Sequence, residues 1–119
     1  MNGVEEFCRQ LIELEYQPEV LQSDRVVFDY TIQEGRYARR QIRLGIVVPP
    51  DFPLTPPGGP NLSPRILAMN PSAPGHPERV ADSPLGPEWQ YLSRPYPNWK
   101  SKVGVHGYMG YVAILLNTS

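Results

Sequence analysis

Residues 25–48 read RVVFDYTIQEGRYARRQIRLGIVV, and their alternation decides the fold class. From Arg25 to Gln33, Val26, Phe28, Tyr30 and Ile32 fall on one side and Val27, Asp29, Thr31 and Gln33 on the other. That period of two marks a half-buried strand. Glu34-Gly35-Arg36 supplies a turn, after which Ile42, Leu44, Ile46 and Val48 alternate with Gln41, Arg43 and Gly45. Two such strands predict an antiparallel hairpin whose apolar face must be covered. A cover lies just upstream. Val4, Phe7, Cys8, Leu11 and Leu14 recur at intervals of three and four, while Glu5, Glu6, Arg9, Gln10 and Glu13 take the opposite side. This predicts an amphipathic helix from Val4 to Tyr16, ended by Gln17-Pro18 because proline disfavours helical geometry in the residue before it.

Downstream of the hairpin the pattern changes. Of the 15 prolines in this chain of 119 residues, 14 lie between Pro49 and Pro97, so that half cannot be mainly helix or central strand. In residues 49–60 the prolines are interleaved with Phe52 and Leu54, which predicts a structured loop pinned to the core. Arg65 to Met69 reads as a further short strand, and Asn70 to Pro87, poor in apolar anchors, as a mobile loop. Trp89, Tyr91, Leu92, Tyr96 and Trp99 return large rings to the body, and Val103 to Leu116 predicts a closing helix. The expectation is one α+β domain spanning residues 1–119.

Composition narrows the function classes. With 11 Lys plus Arg against 12 Asp plus Glu, the formal charge is -1, too little field to attract nucleic acid or an anionic membrane. Arg36, Arg39, Arg40 and Arg43 are the densest basic stretch, but on a strand Arg39 and Arg43 share one face and Arg40 takes the other, so they read as solvated or ion-paired surface. The single cysteine excludes an internal disulfide and multi-cysteine zinc sites, and fits a reducing cytoplasm. No signal peptide or membrane span is read at either end, so a cytoplasmic location is expected. Cys8 sits on the apolar stripe of the first helix and reads as a structural thiol. His76 and His106 have no acidic partner at ligand spacing, so neither a metal nor a cofactor is expected.

Ile46-Val47-Val48-Pro49-Pro50-Asp51-Phe52-Pro53-Leu54-Thr55-Pro56-Pro57 resembles the apolar strand end and proline-rich crossing of the ubiquitin-conjugating-enzyme (UBC) superfamily, and His76-Pro77 and Trp99 resemble landmarks flanking its active site. Trp89-Gln90-Tyr91-Leu92-Ser93-Arg94 and the short C-terminal end are most similar to the bacterial group called prokaryotic family E. The resemblance implies a UBC-like fold: an N-terminal helix on an antiparallel β-meander, the proline crossing loop and a short C-terminal helix. Family enzymes carry ubiquitin as a thioester on a cysteine between these landmarks, since a thiolate is both nucleophile and leaving group. Here the interval from His76 to Trp99 holds no cysteine, and Glu78 stands where the family has asparagine.

The resemblance therefore implies a non-catalytic adaptor, a pseudoenzyme of a bacterial ubiquitin-like conjugation system, whose partners are a ubiquitin-like protein or its activating-type enzyme. The alternative is a conjugating enzyme whose cysteine was mutated or replaced by another nucleophile, with His76, Ser83 and Tyr91 as remnant candidates. Phe52, Leu54, Trp89, Ser93 and Arg94 are the candidate partner-binding residues. Leu54 stands where the family presents an apolar tip, and Arg94 offers a fork for a terminal carboxylate.

Overall fold

The computed structural model describes residues 2–67, 80–93 and 96–117. Helix α1 (Gly3–Glu13) starts at a capping box: Asn2 Oδ1 accepts from Glu5 N–H at 2.8 Å and Glu5 Oε1 accepts from Asn2 N–H at 3.4 Å. Glu5 and Glu6 place negative charge in its first turn, where the helix dipole favours it. It stops three residues before the expected Tyr16. Glu15 adopts the left-handed region at φ 71°, and the N–H groups of Glu15 and Tyr16 return to Ile12 and Leu11 carbonyls. That is a Schellman ending built without glycine. It also turns the Tyr16 ring onto Phe28 and Tyr30, with centroids 5.1 and 6.4 Å away.

Among the described residues six antiparallel strands follow: β1 (Glu19–Leu21), β2 (Arg25–Thr31), β3 (Gln41–Val47), β4 (Asn61–Ser63), β5 (Val80–Asp82) and β6 (Gln90–Leu92), in the spatial order β1-β2-β3-β4-β6-β5. The hairpin register sets Val26 opposite Ile46, Phe28 opposite Leu44 and Tyr30 opposite Ile42, so the expected apolar face forms as one stripe. Leu62 of β4 extends it beside Leu44. Helix α2 (Gly104–Asn117) buries Val105, Tyr108, Met109, Val112, Leu115 and Leu116, spaced at three and four along one side. With Phe7 and Leu11 of α1 these side chains and the sheet stripe make one core. The chain is thus an α+β fold, a sheet with both helices packed in its core.

Three expectations need correction. Arg65 to Leu67 is not a strand; the pairing falls earlier, at Asn61–Ser63, and Ala68 and Met69 lie outside the described residues. Within the stretch read as a mobile loop, Val80–Asp82 pairs with Gln90–Leu92, while residues 70–79 lie outside the described residues. Arg39 and Arg40 belong to the β2–β3 turn, where Arg39 has φ 70°, so strand alternation does not apply to them. Arg43 is ion-paired as expected, 3.4 Å from both Glu19 and Asp29.

Of the glycines at close approaches, two bear on the helix contact and the sheet's outer face. At Gly104 the backbone turns from a short 3-10 turn into α2 with φ 61°, and a Cβ there would lie 2.6 Å from Gln10 Oε1. That oxygen accepts from Val105 N–H at 2.7 Å, so a glutamine of α1 caps the start of α2. The second is Gly45, on the far face of the sheet.

Candidate partner-binding surface

The proline loop is fastened along its whole length. Gly3 N–H donates to the Pro50 carbonyl at 2.9 Å, Leu54 N–H to Asp51 at 2.9 Å and Gly58 N–H to Val47 at 3.0 Å. Side chains add three more ties: Thr55 Oγ1 to Asp51 Oδ2 at 2.7 Å, Trp99 Nε1 to the Pro53 carbonyl at 2.9 Å, and Tyr108 Oη to the Gly58 carbonyl at 2.6 Å. Burial pushes the Tyr108 phenol well above its ordinary range, so it remains a neutral donor. Phe52 is the loop's anchor. Its ring lies 5.3 Å from Phe7 and 6.0 Å from Trp99, and it is only 4% exposed. Phe52 was expected to touch a partner; the structure puts it in the core instead, because the loop needs one large ring to hold it. Two residues on, Leu54 is 76% exposed. A fastened loop thus presents a bare leucine, an apolar knob that loses little conformational entropy when bound.

A second irregular segment, residues 83–89, straps the other face of the sheet. Asn61 is buried in β4 and donates from Nδ2 to the Gly45 carbonyl at 2.9 Å. Ser83 Oγ donates to Asn61 Oδ1 at 2.7 Å and accepts from Leu85 N–H at 3.0 Å. The Arg65 guanidinium joins the strap's two ends, donating to the Trp89 carbonyl at 2.9 Å and to Asp82 Oδ1 at 3.0 Å. Leu85 and Trp89 settle on Gly45, where a Cβ would lie 2.4 and 3.1 Å from them. Gln90, fully buried, brackets Leu67 with its amide, accepting from the N–H at 2.9 Å and donating to the carbonyl at 2.8 Å. Nothing in the sequence pattern marks Asn61, Arg65 or Gln90, since an amide or guanidinium that staples backbone looks like any surface polar residue until its partners are known.

The expected site residues therefore separate. Ser83 has both hydroxyl functions committed to the strap. Tyr91 and Ser93 are half-buried on and just after β6. Trp89 is half-buried over Gly45, on the opposite side of the sheet from the core that anchors Leu54's loop. His76 and Arg94 lie outside the described residues. Cys8 is half-buried on α1, and burial raises its thiol pKa, away from a reactive thiolate. Among the described residues no three His, Cys, Asp or Glu side chains gather in a way that could hold a metal, and no helix is long and apolar enough to cross a membrane. No protein-family model, no curated protein and no solved structure matches the chain.

Proposed function

We propose that the protein is a non-catalytic, UBC-like adaptor that docks a ubiquitin-like protein or its activating-type enzyme through the proline loop. The observation that carries this is Leu54, exposed on a loop that is tied to the body at Pro53 by Trp99 and at Gly58 by Tyr108 and Val47. The element order supports it: helix, antiparallel strands, proline crossing and closing helix are compatible with the UBC resemblance. The chemistry of the thiol supports it too, because the chain's single cysteine is part of helix packing and is pushed toward the unreactive form.

Leu54→Asp tests the reading. Its effect on stability should be within about 0.5 kcal/mol, as for a surface change without partners, while binding to a ubiquitin-like protein or activating enzyme from the same genome should fall at least tenfold by calorimetry. A large drop in melting temperature would show that the leucine supports the fold. In parallel, the protein is incubated with ATP and both pathway proteins and weighed by mass spectrometry. The adaptor forms no covalent adduct; an adduct on any residue replaces it with a conjugating enzyme using another nucleophile.

A further inference from the structure

The outer edge of β2 is only half covered. β1 pairs with it from Arg25 to Val27 and no further; just upstream of Glu19 the chain is leaving the Schellman ending of α1, where Glu15 has φ 71° and Tyr16 N–H returns to the Leu11 carbonyl. Beyond Val27, β2 runs to Thr31 with only β3 paired beside it among the described residues. Val48 N–H donates to the Asp24 carbonyl, and Ile32 exchanges bonds with Arg39 and Arg40. Even-numbered residues here thus bond toward β3, and Asp29 and Thr31 turn their backbone groups outward. The Thr31 carbonyl accepts from Gln33 Nε2 at 2.8 Å, a side-chain amide standing where the N–H of a further strand would stand. Two clefts of ≈ 270 and ≈ 370 Å³ border this edge, and Tyr16 and Asp29 line both.

We propose that this open edge accepts an extended, basic segment of a partner protein, added as a strand beside Asp29 to Thr31 and flanked by Tyr16. Charge selects the occupant. Glu15 and Asp29 line the clefts and Glu19 adjoins them, whereas the cation in the lining, Arg43, is already shared between Asp29 and Glu19. Main-chain pairing supplies affinity, and the excess of carboxylates favours lysine or arginine on the incoming strand. The site stands apart from the Leu54 loop and does not depend on the adaptor reading. The loop is tied to Gly3 at the start of α1, whereas Tyr16 follows its end, about 16 Å away at 1.5 Å per residue.

The probe is a capped eight-residue peptide alternating lysine with valine, titrated into the isotopically labelled full chain and followed by NMR amide shifts. Shifts should gather at Tyr16, Asp29, Thr31 and Gln33. Glutamate in place of the lysines should weaken binding at least tenfold, as should N-methylation of one of the two alternating sets of peptide amides. The surface pair Glu15→Lys and Asp29→Lys should weaken it similarly while leaving the melting temperature near that of the parent. Undiminished binding by both N-methylated peptides would reduce the contact to charge alone and overturn the proposal. So would shifts confined to another surface, or no binding at millimolar peptide. Concentration-dependent broadening of these amides without peptide would assign the edge to a second copy of the chain, and would also overturn it.

Discussion

The proline loop and the strap are both irregular and both carry prolines, yet they use opposite means to opposite ends. The loop is held by a buried ring and by donors from the helix side, and it shows solvent a bare Leu54. The strap is held by polar side chains, Asn61, Ser83 and Arg65, and it hides apolar groups by pressing Leu85 and Trp89 onto Gly45. A proline-rich composition therefore does not state a role. What matters is whether the segment's apolar residues are used as anchor or as tip, and the anchor is set by where a complementary cavity or a missing side chain exists.

Loop and strap are both most sensitive at their anchors. Phe52→Ala should cost about 3–5 kcal/mol, the range for removing a buried aromatic side chain, seen as a large fall in denaturant midpoint. A small effect would mean that the hydrogen bonds alone hold the loop. Gly45→Val is the corresponding blow to the strap, since its side chain needs space that Leu85 and Trp89 fill. It should cost about 1–3 kcal/mol and shift Trp89 emission toward that of a solvated ring, measured in a Trp99→Phe background. Unchanged emission would show that the strap is not seated on Gly45. Ser83→Ala removes one link while leaving the apolar seat, so a loss of about 0.5–1.5 kcal/mol is expected, with Trp89 emission unchanged. Were Ser83 instead a nucleophile, its loss would abolish adduct formation without touching stability.

The smallest effect concerns pH and acts on the loop side alone. Hydrogen bonds from Arg9 at 2.6 Å and Gln10 at 2.6 Å lower the Glu6 pKa from 4.5 to about 2. Gln10 in turn caps α2, so Glu6 lies on the contact between the two helices that hold the proline loop. The folded-state value lies below the unfolded one, so this stabilisation is present above about pH 4.5 and is lost as pH falls toward 2. Partial exposure of the pair limits it to under about 1 kcal/mol. Glu6→Gln should remove part of the acid-induced loss of stability. On acidification Trp99, which bonds the loop, should respond before Trp89. Simultaneous responses would mean that loop and strap unfold as one.

How much of this was legible depended on the length over which a pattern repeats. The β2–β3 hairpin and α2 each carry several apolar residues at one period, and their positions followed from that alone. The strands β4, β5 and β6 are three residues each, too short for any period, and they exist because a neighbouring edge offers them bonds. The early end of α1 at Glu13 has no mark in the sequence, because a Schellman ending is normally announced by glycine or asparagine and here Glu15 takes that place. At the candidate surface, Leu54 as a tip came from the UBC resemblance, not from the residue pattern, which put Phe52 and Leu54 in the loop alike. Phe52, equally apolar and two residues away, was indistinguishable from it until Phe7 and Trp99 were seen around its ring.

Residue type and spacing along the chain suffice for the secondary elements that bury a repeating face, for a structured proline loop over residues 49–60 and for the lack of a cysteine in the interval where the UBC resemblance places one. That Phe52 faces inward and Leu54 outward, that Ser83 is a fastening and that β1 stops at Val27 along β2 follow only from the fold. Each of those depends on which distant groups, Trp99, Asn61 or the end of α1, arrive beside a residue, and local preference carries no record of that.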